Sequence, residues 1–247
     1  MEKNPVDATI ANGEFTSRAA ALAGAETVSA LGRAKIAVFG VGGVGGWCAE
    51  TLVRSGAGDV TIVDPDEVRP SNINRQTVAT SLTVGMAKVD AFAKRLAEIN
   101  PRARLRPVAA RYCAETACSF DLGSFDYVID AIDSVEDKAL LVRSALASEK
   151  TTLFSSMGAA LRFDPLRLRI SPFGKVQGDA LARALRHRLK KTGGVPERDF
   201  ECVWSDEPPA ACAGAERGSL MQVVAPFGCA LASLVVNDLR RRAGGAK

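Results

Sequence analysis

The segment Gly40-Val-Gly42-Gly43-Val-Gly45 follows a short apolar run, Lys35 to Phe39, and leads into Trp47 to Ser55, which has helical spacing. Glycines between a strand and a helix let backbone N–H groups and the positive end of the helix approach a phosphate. Asp64 stands 19 residues beyond Gly45, where a second apolar run, Asp59 to Val63, ends. A carboxylate there can accept hydrogen bonds from ribose hydroxyls, so the pair indicates an adenine nucleotide. The bland alternative is that the glycines only allow a helix to pack closely on a sheet. Nor does this cradle separate NAD from ATP, and an NAD-binding redox or sensory module stays open on these residues alone.

Residues downstream discriminate between the two. Asn72-Ile-Asn74-Arg75-Gln76, Lys88 at the start of the next helical run and Asp133 after a later strand have little use in hydride transfer. Adenylation of a carboxylate does use them. Arg75 and Lys88 could offset triphosphate charge, and Asp133 could hold Mg²⁺ beside the phosphates. Taken singly, Arg75 is equally a solvated loop charge and Lys88 a helix-surface charge. Asp133 or Ser134 is equally a helix cap ahead of Glu136.

These groups must be carried by alternating strands and helices. Lys35 to Val63 reads as a βαβ unit with parallel strands. An amphipathic helix within Gly85 to Asn100 follows, with Met86, Val89, Ala93, Leu96 and Ile99 on one face and Pro101 ending it. Leu105 to Ala109 and Phe125 to Ile129 then read as strands, Glu136 to Glu149 as a helix and Thr151 to Ser155 as a strand. After Met157 the rhythm changes: Leu161 to Ile170 suggests antiparallel strand material, Gly178 to Lys191 a basic helix, Lys191 to Pro209 a loop-rich stretch, and Leu220 to Arg241 a final helix. The expected fold class is α/β. A Rossmann-type ATP-binding half (1–155) continues into a mixed-sheet half with an antiparallel C-terminal part (156–247), the two forming one domain.

The chain has 247 residues, 47% hydrophobic and 24% charged, which suits a globular enzyme. A net charge of +4 is too small to predict a nucleic-acid partner. Met1 to Ser17 contains Glu2, Asp7 and Glu14 and lacks an apolar targeting core, so a cytoplasmic location with reduced thiols is expected. The six cysteines include no Cys-x-x-Cys pair and His187 is the only histidine, which argues against a zinc site. Cys202 reads as a buried strand cysteine rather than a nucleophile, and Cys212 is no better placed for that role. The apolar run Met221 to Val236 contains Pro226 and Gln222 and falls short of the roughly 20 residues that span a bilayer, so burial in the core is expected.

The ordered set, from the glycine loop through Asp64, Asn74-Arg75-Gln76 and Lys88 to Asp133, resembles the superfamily of ubiquitin-activating-enzyme-like adenylating enzymes. That superfamily includes enzymes that activate sulfur-carrier proteins for thiamine and molybdopterin synthesis. The resemblance covers roughly Arg18 to Leu239. It looks closest to the tRNA threonylcarbamoyladenosine dehydratases, through Ile132-Asp133-Ser134-Val135, Ser156-Met157-Gly158-Ala159, Phe163-Asp164-Pro165 and Val203-Trp204-Ser205-Asp206-Glu207-Pro208-Pro209. The absence of paired Cys-x-x-Cys motifs favours that branch.

The resemblance implies phosphate contacts for Arg75 and Lys88 and a carboxylate near the metal and α-phosphate for Asp133. Gly40, Gly42, Gly43, Gly45, Asp64 and Asn74 join them in the nucleotide site, and Arg18 reaches the nucleotide of the other subunit of a homodimer. It implies ATP and Mg²⁺ and admits a monovalent cation. The implied partners are tRNA and a cysteine desulfurase or its sulfur acceptor, with no role for DNA or a membrane. Arg183, Arg186, Arg188, Lys190 and Lys191 lie on a helix whose leucines recur at spacing four. A solvated face is the usual meaning of such a run; the resemblance points instead to contact with the tRNA backbone.

The expected activity is adenylation of the threonyl carboxylate of N6-threonylcarbamoyladenosine in tRNA, followed by intramolecular ring closure with overall loss of water. The alternative is adenylation of the C-terminal glycine of a ubiquitin-like sulfur carrier.

Overall fold

The computed structural model describes residues 14–194, 196–211 and 217–244; Cys212 lies outside them. The chain begins with helices α1 (Ser17–Ala23) and α2 (Ala25–Arg33) and then enters the βαβ unit: β1 (Lys35–Phe39), α3 (Gly45–Arg54) and β2 (Asp59–Val63). Helix α4 (Lys88–Ile99), β3 (Arg104–Val108), β4 (Tyr127–Asp130), α5 (Val135–Leu146) and β5 (Thr152–Ser156) continue the alternation. The C-terminal part holds β6 (Leu168–Pro172), α6 (Ala180–Lys191), β7 (Glu201–Ser205) and α7 (Met221–Ala243).

A single sheet of seven strands results, in the order β3-β2-β1-β4-β5-β7-β6. All pairs are parallel except β6 with β7, so the mixed sheet with an antiparallel C-terminal part is what forms. Alternation of side chains along buried strands assigns the two faces. Ile36, Val38, Val60, Ile62 and Ile129 point to one face and pack with α3, α4 and α7. Ala37, Phe39, Val63 and Val128 point to the other and pack with α5 and α6. The helices present matching stripes, for example Val89, Phe92 and Leu96 on α4.

The chain departs from the sequence reading in the C-terminal half. Residues 191–209 are loop-rich as expected but also hold a strand, Glu201–Ser205, which forms β7 and inserts between β5 and β6. Leu161 to Ile170 is not strand throughout, because only Leu168–Pro172 pairs, and Leu161 has φ 60, which no strand residue adopts. Cys202 is fully buried in β7, and burial pushes its thiol well above the usual range, so it is an inert core residue. Helix α7 is the one helix among the described residues long and apolar enough to cross a membrane. Its Val223, Phe227, Leu231 and Val235 are buried against the sheet and its neighbouring helices.

Candidate active site

The strand order reverses direction between β1 and β4: from β1 the chain progresses outward to β2 and β3, and then on the other side to β4, β5 and beyond. A crevice opens at such a switch point, outside the carboxyl ends of the strands. It is a cleft of about 890 Å³, and Gly40, Gly42, Gly43, Asp64, Arg75, Lys88 and Asp133 all line it. The tertiary fold therefore brings seven of the sequence-predicted nucleotide-site residues into one cleft.

The glycine loop is held tightly at its base. Gly40 has φ 83, and a Cβ there would stand 2.8 Å from the Ala131 carbonyl oxygen. Gly45 is not on the cleft wall. A Cβ at Gly45 would meet the Gly40 carbonyl oxygen at 1.8 Å, so this glycine is needed for packing of the helix start on the strand end, the bland reading of the motif.

Asp64 is buried, and its Oδ2 accepts the Val41 N–H at 2.8 Å while Oδ1 accepts the Asp66 N–H at 2.9 Å. The carboxylate thus ties the loop after β2 to the glycine loop and keeps a second lone pair on each oxygen for a ribose hydroxyl. Lys88 is not a surface charge: it is 5% exposed. Its Nζ donates to Asp66 at 2.7 Å and lies 3.5 Å from Asp64. Asp66 is well exposed, so water can take over its hydrogen bonds when the ammonium turns to a phosphate.

Arg75 Nη1 donates to the Ser71 carbonyl and to Asn74 Oδ1, both at 2.9 Å. Asn74 is off the cleft wall; its Nδ2 donates to the Ser219 carbonyl at 2.9 Å. It acts on the site by orienting Arg75, because its amide is engaged at both ends. Gln76 is buried on the cleft wall with Oε1 lacking a partner among the described residues.

Ser134, and not Asp133, caps α5, accepting the Asp137 N–H. Asp133 is exposed on the cleft wall. Behind it lies a fully buried pair: Lys138 Nζ is 2.7 Å from Asp130 Oδ2 and donates to the Ile132 carbonyl at 2.9 Å. Asp130 also accepts from Ser155 Oγ at 2.6 Å and from the Ile132 N–H at 3.1 Å. Both backbone groups of Ile132 are thereby anchored, which sets the direction in which Asp133 leaves the sheet.

A second anchor sits on the far side of the glycine-loop helix. Glu50 on α3 accepts from Thr77 Oγ1 (2.6 Å), Arg95 Nε (2.7 Å) and Arg54 Nε (2.9 Å). One carboxylate thus joins α3 to the segment that carries Arg75 and to α4, which carries Lys88. Burial raises its pKa, but the hydrogen bonds from Arg95, Thr77 and Arg54 together outweigh that and hold it below its usual range.

Other predicted residues fall elsewhere. Arg18 is exposed on α1, and the neighbouring Thr16 lies beside Gly56, at the amino end of β2 and away from the carboxyl-end cleft. On α6, Arg186 is committed to the fold: it donates to the Phe173 and Val176 carbonyls and lies 4.8 Å over the Phe173 ring. Arg188 lies 3.9 Å from Glu136, whereas Arg183, Lys190 and Lys191 are exposed, as is His187.

Sequence reasoning missed Arg162, which lines the cleft while 5% exposed. It also missed Arg111 with its partner Asp137 (2.7 Å), both lining the same cleft. Only a basic residue just after Ser156-Met157-Gly158-Ala159 hinted at the first.

The chain is 40% identical over 186 residues to tRNA threonylcarbamoyladenosine dehydratase of Bacillus subtilis, covering 75% of this chain and 72% of that protein. It is 37% identical over 193 residues to the dehydratase of Escherichia coli, covering 76% and 72%. The crystal structure of E. coli tRNA N6-threonylcarbamoyladenosine dehydratase in complex with ATP superimposes with a TM-score of 0.89 at 33% identity, over 95% of this chain and 97% of that one. The model of the ThiF family matches residues 16–242, nearly the whole chain. With its glycine loop, acid and cations gathered in one cleft at the strand switch point, this chain belongs to the ThiF family.

Proposed function

We propose that the chain catalyses ATP-dependent dehydration of N6-threonylcarbamoyladenosine in tRNA. The observation that carries the reading is the convergence of Arg75, Lys88 and Asp133 with the glycine loop and Asp64 on one cleft. The ribose is held at Asp64, and the phosphates lie along the loop amides between Arg75 and Lys88. The threonyl carboxylate attacks the α-phosphorus and pyrophosphate departs, leaving an acyl adenylate. The carbamoyl group then attacks the acyl carbon, the bond to AMP breaks and the ring closes. The carboxylate oxygen leaves with AMP, so the nucleoside loses the elements of water. Ring closure needs no enzyme nucleophile, because activation and proximity supply the driving force, in keeping with an inert Cys202.

Arg75 and Lys88 offset charge that grows on the phosphates. Asp133 fits a Mg²⁺ site of the usual kind, one protein carboxylate with the remaining positions left to phosphates and water, and its carboxylate has no hydrogen bond among the described residues. Bound there, the metal would neutralise phosphate oxygens. Arg18, exposed and not part of its own cleft's lining, acts across a homodimer on the partner's nucleotide. Arg183, Lys190 and Lys191 contact the tRNA backbone, and the work is done in the cytoplasm as one domain.

The test is incubation of threonylcarbamoyl-modified tRNA with the protein and Mg·ATP, followed by nucleoside mass analysis. A nucleoside lighter by one water, with AMP and pyrophosphate released, is expected. Unchanged nucleoside, with pyrophosphate exchange driven only by a sulfur-carrier protein, would overturn the reading.

A further inference from the structure

Arg162 is a buried cation with unmet hydrogen-bonding capacity. Its side chain is 4% exposed, yet it lies on the cleft wall, and neither Nε nor Nη1 has a partner among the described residues. Nη2 stands 3.9 Å from Asp179 Oδ2, close enough to balance charge but too far for a hydrogen bond. Each oxygen of Asp179 already accepts one backbone N–H, from Ala182 at 2.8 Å and from Gly158 at 3.1 Å. A buried guanidinium with two idle nitrogens is costly unless something fills them, and an oxyanion is the group that suits them.

The backbone around Arg162 is held in an unfavourable state that aims it. Leu161 is the one non-glycine residue at positive φ among the described residues, at 60°. Its N–H donates to the Gly218 carbonyl and its own carbonyl accepts from Ala210, both at 2.9 Å. On the other side, Glu207 accepts the N–H groups of Phe163 (3.1 Å) and Asp164 (3.0 Å). Strain held by contacts on both sides is a mark of a functional position.

The place of Arg162 in the sheet names the oxyanion. Across the carboxyl edge the order is β2, β1, β4, β5. The ribose acid Asp64 ends β2, the phosphate loop follows β1, Asp133 follows β4, and the loop to Arg162 follows β5. With the ribose at Asp64 and the phosphates along the glycine loop, as proposed above, this order sets Arg162 beyond the α-phosphate on the side opposite the ribose, where the attacking group must stand. We infer that Arg162 binds the substrate carboxylate that is to be adenylated, holding it in line with the α-phosphorus. This inference rests on the proposed function and deepens it.

The experiment compares wild type with Arg162→Met and, because a buried charge is being removed, with Arg162→Gln, which keeps an amide toward Asp179. Each is measured for melting temperature, for ATP affinity without tRNA, and for kcat/KM and binding with tRNA that carries or lacks the threonylcarbamoyl group. Loss of a charge-assisted hydrogen bond predicts a fall in kcat/KM of about 10- to 100-fold, with ATP affinity kept within about twofold and with the preference for modified over unmodified tRNA abolished. Unchanged kcat/KM in folded variants, or an equal loss of ATP affinity that would put the guanidinium on the nucleotide phosphates, overturns the inference. A wild-type protein that converts no modified tRNA refutes the functional reading itself, an outcome visible before any variant is compared.

Discussion

Replacing Lys138 by methionine tests how the fold holds Asp133, the acid proposed to act at the phosphates. Lys138 and Asp130 are both fully buried, 2.7 Å apart, and the lysine also bonds the Ile132 carbonyl. Methionine keeps the length of the side chain and removes the charge. Asp130 is then left with Ser155 Oγ and the Ile132 N–H as its only donors among the described residues, in a fully buried site. Breaking one half of a buried ion pair costs about 3–5 kcal/mol. For a domain of this size each kcal/mol lowers the melting temperature by about 2–4 °C, so a drop of about 6–20 °C is expected. Removing both charges, as Asp130→Asn with Lys138→Met, leaves a neutral amide whose carbonyl can still accept from Ile132, and most of the loss should be recovered. Calorimetric melts of the three proteins at neutral pH measure this directly. A Lys138→Met protein that melts within about 2 °C of wild type, or a double variant less stable than the single one, would refute the claim that this pair anchors the segment leading to Asp133. AMP formation by the single variant should also fall, because Ile132 loses its lysine contact while Asp133 itself is intact.

Three further outcomes are expected. Asp133→Ala should lower AMP formation by about 100-fold or more while tRNA binding, measured by filter retention, is largely kept; turnover of ATP at the wild-type rate would remove Asp133 from the mechanism. Glu50→Gln should destabilise the protein by about 1–3 kcal/mol at pH 7. Because the Glu50 carboxyl is depressed in the folded state, its contribution is present above the unfolded value of about 4.3 and is lost as pH falls through the lower folded value, so the stability gap to wild type should close in acid. A gap that stayed constant from neutral pH into that range would be inconsistent with a paired carboxylate. Changing Arg183, Lys190 and Lys191 together to alanine should weaken tRNA binding and flatten its dependence on log salt by about two, with ATP affinity unaltered; an unchanged salt slope would return this helix face to the solvent.

Short-range pattern carried a large part of the protein. The apolar runs at Lys35–Phe39 and Asp59–Val63, the glycines between them and Asp64 after the second are contiguous features, and they suffice for a βαβ nucleotide cradle. The stripe on α4 and the serine ahead of α5 are equally local. Their physics is periodicity and capping, which act over a few residues and so can be read along the chain.

Tertiary structure decided the rest, because the contacts concerned link residues that nothing in the chain marks as neighbours. Strand β7 has little periodicity of its own and exists because β5 and β6 leave edges that it pairs with on both sides. Whether Gly45 serves phosphate or packing depends on where the Gly40 carbonyl lies. Arg186 and Lys190 look alike in a basic helix, yet only one lies over Phe173. Lys88 was legible as a cation but not as one buried between Asp64 and Asp66, and Arg162 shows its unmet donors only once Asp179 and the strained loop close around it. Residue type can be read from sequence; the desolvation and partners that give a charge its chemistry are properties of the folded cleft.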